Sequence, residues 1–505
     1  MSRDQYLKRI LTARVYDVAH QTPLQRAEKL SARLQNNVYL KREDLQPVFS
    51  FKLRGAYNKI YRLTQERKIQ KVVTASAGNH AQGVALAARE LGIEALIVMP
   101  KTTPPIKIEA VKSLGAKAQL FGDTYDEACE HALKQAKLEG APFIHPYDDP
   151  DVIAGQGTIA VEILQQHQDE LQAVFIPVGG GGLIAGMAAY IKAVRPEVKV
   201  VAVEPDDAAC FAAAMQAGRR VKLQQVGLFA DGVAVRQMGR ETFRIARRLV
   251  DDFVLVDTDE ICAAIKDVFE DTRSIAEPAG ALAVAGMKKY LAGSSTRGQS
   301  LVAMICGANM NFDRLRHVSE RAELGEQGEV LMAVAVPERP GSFRAFCRAL
   351  GKRSITEFNY RYADSQQAHI FAGVKLTYGS DERKDLLERL AGKGFDVTDM
   401  SDNEMAKLHI RYMVGGHAPR LENERLLRLE FPERPGALLN FLESIGQSWN
   451  ISLFHYRNHG AAYGRVLLGL QIPGDDMPKL QQSLRRLGYQ YWDETQNPAY
   501  SFFLR

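Results

Sequence analysis

Four separated segments carry the residue types that do chemistry: SFKLRGA at 50–56, TASAGNHAQG at 74–83, PVGGGGL at 177–183 and AMICGANMN at 303–311. Lys52 stands between Phe51 and Leu53 and ahead of Arg54. Such a lysine is either a surface residue on an amphipathic helix or a partly buried amine. Burial lowers an amine's pKa and makes it a nucleophile toward carbonyl groups. Gly179, Gly180, Gly181 and Gly182 follow an apolar run and open a helix-forming one that begins with Leu183. They read either as a flexible turn or as a helix N-terminus whose successive N–H groups cradle a phosphate. Ser76, Ala77, Gly78, Asn79 and His80 join a second apolar run to a helical one. That loop offers ordinary N-capping by Ser76 or Asn79, or N–H groups for a carboxylate with Asn79 as a side-chain donor. Cys306 ends a third apolar run, ahead of Gly307. Its ordinary reading is a small buried hydrophobe.

The elements that hold these segments are legible as apolar β-branched runs at 71–76, 94–100, 117–122, 173–178, 199–205 and 300–306. Ala-rich helical stretches such as 83–92 and 126–140 lie between them. This alternation predicts an α/β unit of mostly parallel sheets with helices on both faces. Such sheets place ligands at the carboxyl ends of their strands, where the ASAGNH and GGGG loops stand. Residues 173–191 carry no charge, but Pro177 and the glycine run at 179–182 interrupt them. They predict a strand over Ala173–Val178, a loop and a helix over Leu183–Val194, not a membrane span. A nucleophilic lysine, a phosphate cradle and a carboxylate nest share one explanation, pyridoxal phosphate with an amino-acid substrate.

Composition narrows the partners. The 505 residues are 46% hydrophobic and 25% charged, a globular mixture. The net charge is +5 and no long basic run occurs, which argues against nucleic acid and anionic membranes. Five cysteines, at 129, 210, 262, 306 and 347, form no C-x-x-C pair. That argues against a disulfide framework and a cysteine-rich zinc site, and fits a reducing cytoplasm. Met1–Ile10 holds Arg3, Asp4, Lys8 and Arg9 and does not read as a secretory signal.

The composition changes near residue 320, so residues 1–320 are expected to form the catalytic domain and 321–328 a linker. An internal repeat follows. PERPG recurs at 337–341 and 432–436, and EFNYR at 357–361 matches LFHYR at 453–457. Each copy reads as strand, turn, helix, strand, strand, helix and strand. This predicts two α+β ferredoxin-like (ACT-like) domains over 329–401 and 424–495. Phe358, Tyr360, Phe454 and Tyr456 lie in the second match and are candidates for contacting an effector or the facing repeat.

With these motifs in this order, the chain resembles the fold type II pyridoxal-phosphate enzymes, whose lysine motif is S-x-K-x-R-G. SFKLRGA, ASAGNHAQG and the double PERPG tail are similar to the biosynthetic threonine deaminases (threonine ammonia-lyases) over nearly the whole chain. Cysteine synthases and threonine synthases usually have Lys-Asp-Arg where this chain has Lys52-Leu53-Arg54. The resemblance implies that Lys52 holds the cofactor covalently and serves as the catalytic base. It implies that Asn79 bonds the cofactor's 3′-oxygen, that Gly179, Gly180, Gly181, Gly182 and Leu183 bind its phosphate, and that Cys306 faces its pyridine nitrogen. Ser76, Ala77, Gly78, Asn79 and His80 would receive the substrate.

The implied reaction is β-elimination of L-threonine to 2-oxobutanoate and ammonia, the first committed step of isoleucine biosynthesis. L-serine is an expected second substrate. Isoleucine is the expected inhibitor, valine its antagonist, and a homotetramer the expected assembly. Two departures stand out. Serine racemases of this fold carry a serine where this chain has Ala77, so a second-face base is missing. Some relatives bind a divalent cation through an acidic pair beginning at the VEP segment. Here Glu204 is present, but the second position is Cys210, so no metal is expected. A serine dehydratase is the competing enzymatic reading, which the sensing tail disfavours. An amino-acid sensor with a dead catalytic domain is the non-enzymatic one, which the intact lysine and glycine loop disfavour.

Overall fold

Continuous Val, Ile and Ala runs form parallel strands because such strands are covered on both faces, but the runs do not say which strands pair. The computed structural model describes residues 3–292, 296–312, 314–325, 328–362, 366–376, 380–403, 406–407, 410–413, 418, 421–432, 437–445, 449–457, 463–487, 490–497, 500 and 504. They fall into two compact units, Met1–Gly325 and Glu326–Arg505. The helix Arg314–Gly325 runs through residues 321–325, so this part of the expected linker is helical instead.

In the first unit the strands are β1 (Leu24–Arg26), β2 (Asn37–Arg42), β3 (Lys71–Ala75), β4 (Glu94–Met99), β5 (Lys117–Leu120), β6 (Ala173–Pro177), β7 (Lys199–Pro205), β8 (Asp252–Val256) and β9 (Ser300–Ile305). Six of them form a sheet in the order β1-β2-β9-β6-β7-β8, and the other three form a second sheet, β3-β4-β5. Only the β1–β2 pair is antiparallel. β1, β2 and β8 are absent from the strands expected above. β1 has three residues, and β8 is only half-buried, so neither presents a long apolar run.

The charge-free stretch resolves into β6, the glycine loop and the helix Gly182–Val194. Among the described residues, no helix is long and apolar enough to cross a membrane. The helix Lys52–Glu66 crosses the helix Pro150–Gln166 backbone to backbone. A Cβ on Gly155 would lie 2.7 Å from the Arg54 carbonyl oxygen, and one on Gly55 would lie 2.7 Å from that of Val152. Glycine at both positions lets the lysine-bearing helix sit this deep. The Pro150–Gln166 helix packs in turn on Gly182–Val194, which begins at the glycine loop.

The second unit holds β10 (Glu329–Pro337), β11 (Ile355–Arg361), β12 (Gln367–Lys375), β13 (Asp396–Asp399), β14 (Glu424–Pro432), β15 (Asn450–Arg457), β16 (Tyr463–Gln471) and β17 (Gln490–Asp493). The helices Ser342–Leu350 and Ser380–Gly392 complete one βαββαβ copy, and Ala437–Ile445 and Met477–Leu487 complete the other. One antiparallel sheet runs β13-β10-β12-β11-β15-β16-β14-β17. Each copy contributes its second strand as an edge, and the two edges pair. Phe358 lies opposite Tyr456, and Tyr360 opposite Phe454. This pairing leaves neither edge open to a foreign strand. In the first PERPG copy, Gly341 takes φ +92° and starts the Ser342–Leu350 helix. Residues 433–436 of the second copy lie outside the described residues.

Candidate active site

Lys52 is the first residue of its helix, and the turn before it is laced to the end of β9. Phe51 N donates to Cys306 O at 3.3 Å, and Ala308 N donates to Phe49 O at 2.9 Å. Ser50 bridges to Gly307. Two segments some 250 residues apart in the chain are thereby held side by side. Lys52 Nζ donates to Pro146 O at 3.3 Å and lies 5.2 Å from the centre of the Phe51 ring. Burial pushes its pKa down to about 8. The free amine is the reactive form. Capture of the cofactor aldehyde by cofactor-free protein should therefore speed up about tenfold per pH unit below 8 and level off above it. Absorbance-monitored reconstitution across pH 6 to 10 checks this. A rate still climbing at pH 10 would mean an ordinary lysine.

Arg54 explains the arginine of the motif. It is fully buried, and all five of its N–H groups are used. Nε and Nη2 donate to the two Glu43 oxygens at 2.8 Å each. Nη1 donates to Glu162 at 2.6 Å and to Thr158 at 3.1 Å, and Nη2 also donates to the His20 carbonyl at 3.1 Å. Lys41 Nζ supplies Glu162 with a second cation at 2.6 Å. Two buried cations thus meet two buried carboxylates. Burial opposes the charge on Glu43, but Arg54 outweighs it and holds the carboxyl below its ordinary pKa.

Asn79 begins the helix after β3 and belongs to a polar chain. Its Nδ2 donates to Glu277 Oε1 at 2.6 Å, and its Oδ1 accepts from Asn309 Nδ2 at 2.7 Å. Asn309 also donates to Val48 O at 2.9 Å. One Nδ2 hydrogen of Asn79 remains to serve a ligand. Burial raises Glu277 to about 7, and Asp231 adds to the effect. Sequence reasoning did not select Glu277 or Asn309 as site residues, although Asn309 lies in the quoted Cys306 segment. Cys306 is buried, and that burial lifts its thiol well above the ordinary range, so it stays neutral.

Ser76, Ala77 and Gly78 are partly accessible, and a Cβ on Gly78 would meet open space. Gly78 N donates to Ser76 Oγ at 3.2 Å. His80 is buried with Nε2 3.0 Å from Ile144 O, which assigns the ring proton to Nε2. Burial, followed by the nearby Lys52 charge, drives His80 down to about 3, so it stays neutral. His80 Nδ1 and Ser50 Oγ are buried polar atoms with no partner among the described residues. Buried polar atoms of this kind are satisfied by a ligand or by ordered water.

The glycine loop shows the same incompleteness on a larger scale. Gly181 takes φ +91°, where an L side chain is strained. A Cβ on Gly180 would lie 2.2 Å from the Tyr147 ring. Residues 179–183 are buried. Among the described residues, the amides of Gly180, Gly181, Gly182 and Leu183 have no acceptor, whereas the carbonyls of Gly179, Gly180 and Gly181 all have donors. Unpaired buried N–H groups at a helix N-terminus fit a phosphate. Tyr147 packs on this loop and follows Pro146, the carbonyl that Lys52 reaches, so the amine and the cradle meet around one corner. The residues present therefore fit pyridoxal phosphate.

In the second unit, Phe358, Tyr360, Phe454 and Tyr456 are all buried. Phe358 and Phe454 pack edge to face with centroids 5.2 Å apart. A cleft opens beside them between the copies. It is lined by Pro337 to Gly341, Phe343 and Arg344 from the first copy and by Leu442, Trp449, Asn450 and Ile451 from the second. Glu338 accepts from Tyr360 and, at 3.0 Å, from Asn450 across the two copies.

Comparison with known proteins adds likenesses in family, sequence and structure. Residues 15–307 match the family described as pyridoxal-phosphate dependent enzyme. Residues 320–410 and 415–504 match the C-terminal regulatory domain of threonine dehydratase. The biosynthetic L-threonine dehydratase of Burkholderia multivorans is 56% identical over 507 residues, covering 100% of both chains. That of Escherichia coli is 55% identical over 500 residues, covering 99% of this chain and 97% of the relative. The solved structure of the processed form of threonine deaminase isoform 2 from Solanum lycopersicum has a TM-score of 0.62 at 52% identity. It covers 64% of this chain and 88% of that one.

Proposed function

The chain belongs to the biosynthetic threonine dehydratases, a branch of the pyridoxal-phosphate dependent enzymes, and from that premise we propose how its own residues carry the reaction. It is a lyase that uses pyridoxal phosphate and acts on threonine. The products proposed are 2-oxobutanoate and ammonia, at the first committed step of isoleucine biosynthesis. L-serine is a second substrate, and the setting is a cytoplasmic homotetramer. The observation that carries the site assignment is the meeting of a depressed-pKa amine with unpaired buried amides around Pro146 and Tyr147.

When bound, pyridoxal phosphate supplies an electron sink that acidifies the Cα–H of a joined amino acid. Gly179, Gly180, Gly181, Gly182 and Leu183 would hold its phosphate. The spare Asn79 hydrogen would serve its 3′-oxygen, and Glu277 and Asn309 fix the orientation of that amide. Cys306 would meet the ring nitrogen, and as a buried, neutral thiol it would not hold a proton there as a carboxylate would. The N-terminus of the Asn79–Glu90 helix, with Ser76, Ala77 and Gly78, receives the substrate carboxylate. His80, neutral at working pH, adds no cation there. Lys52 Nζ takes the Cα proton. Ala77 offers no hydroxyl to return a proton to the second face, so elimination outcompetes racemisation. Borohydride reduction followed by peptide mapping tests the attachment. Label on the peptide containing Lys52 is expected, and label on any other lysine overturns the assignment.

For regulation, the cleft at the first PERPG turn supports an isoleucine site that valine shares. Its polar side offers Arg339, Arg344 and the start of the Ser342–Leu350 helix to a carboxylate, and Glu338 to an ammonium. Phe343, Leu442, Trp449 and Ile451 line an apolar side for a branched chain. Ile451→Ala removes half-buried apolar surface from the cleft wall and should raise the isoleucine concentration for half inhibition about tenfold. Inhibition curves on the full-length enzyme measure this. An unchanged half-inhibition point would leave the cleft without a sensing role.

A further inference from the structure

The glycine loop is held from behind as well as open in front. Glu204, near the end of β7, is buried, and its two oxygens accept from Phe211 N at 2.8 Å and Ala212 N at 2.9 Å. Those amides lie in the first turn of the helix Cys210–Ala217, so the carboxylate fixes where that helix begins. Its first residue, Cys210, is fully buried, with Sγ donating to Gly179 O at 3.4 Å. On the other side, Asp148 caps the helix Arg240–Leu249 through Arg240 N and Glu241 N, both at 2.8 Å. That helix delivers Thr242, also fully buried, whose Oγ1 donates to Gly180 O at 2.7 Å.

A trans peptide points its C=O and N–H in opposite directions. Pinning Gly179 O backward turns Gly180 N–H forward, and pinning Gly180 O turns Gly181 N–H forward. The same corner does not fit the divalent cation that some relatives hold. A thiol stands in place of the second acid, and both oxygens of Glu204 are already engaged by amides. We propose that Cys210 and Thr242 are positioning residues for the cofactor phosphate, side-chain donors that aim the loop amides at it in a corner that takes no divalent cation. The proposal rests on the pyridoxal-phosphate reading above.

The test titrates cofactor-free full-length protein with pyridoxal phosphate and, separately, with pyridoxal, which lacks the phosphate. Thr242→Val should weaken pyridoxal phosphate about tenfold and Cys210→Ala about fivefold. Neither should change the affinity for pyridoxal. Thr242→Ser and Cys210→Ser, which keep a donor, should restore the phosphate-dependent binding. Wild-type affinity should be the same in EDTA and in excess Mg²⁺. Four results would overturn the proposal: unchanged pyridoxal-phosphate affinity in the Val and Ala variants, a parallel loss for pyridoxal, failure of both serine variants to rescue, or dependence on Mg²⁺. Wild-type protein that bound no pyridoxal phosphate at all would refute the cofactor reading itself.

Discussion

Lys52→Ala is expected to lower threonine turnover at least about 10³-fold while the chain stays folded. One amine is asked both to hold the cofactor and to move the Cα proton, and removing a positioned base alone costs about 10²–10⁴-fold. The fold should survive because Lys52 opens its helix, is partly accessible, and makes one bond of 3.3 Å to a carbonyl. Alanine at that position is a good helix former. The glycine loop remains, so the variant should still take up pyridoxal phosphate, but with the absorbance of the free aldehyde. Steady-state assay and absorbance spectra on the same preparation separate the two parts. Retention of more than a few per cent of the activity would remove Lys52 from its role.

Arg54→Ala is expected to have the largest effect on stability. It would leave Glu43 and Glu162 buried with Lys41 as their only cation in the cluster. Breaking a buried, fully bonded pair by deleting one side costs about 3–5 kcal/mol, a large part of a typical folding margin of about 5–15 kcal/mol. Arg54→Lys should not rescue it, because one ammonium cannot supply five N–H donors in a planar fork. The cost should reach the site, since Arg54 lies two residues after Lys52 on the same helix. Urea unfolding of wild type and both variants measures the loss. A loss below about 1 kcal/mol for Arg54→Ala would show that the cluster does not stabilise the helix start.

The parts of the site that were legible in the sequence are local ones. A lysine among apolar neighbours and four glycines between a strand and a helix announce themselves because the chemistry and the turn lie in one short segment. Glu277 could not be found this way. In sequence it is a glutamate before a proline at a helix start, and its importance comes from Asn79, far away in the chain. Thr242 is likewise an ordinary helix residue until the Gly180 carbonyl is placed beside it. Arg54 was visible as part of a motif, but its partners Glu43 and Glu162 were not. The two-sheet division follows the same rule, since apolar runs mark strands but pairing is decided across the chain. In the tail, the repeat pointed to βαββαβ copies, and the aromatic residues of its second match lie where the two edge strands pair. Residues 321–325 are polar enough to read as a linker, but they continue the helix Arg314–Gly325.

The most direct test of the account is the product formed from L-threonine by purified full-length protein loaded with pyridoxal phosphate, assayed with and without isoleucine and beside L-serine. The expected result is 2-oxobutanoate and ammonia in equal amounts, slower but real formation of pyruvate from serine, and suppression of threonine turnover by isoleucine. Absence of 2-oxobutanoate from threonine under these conditions would contradict it.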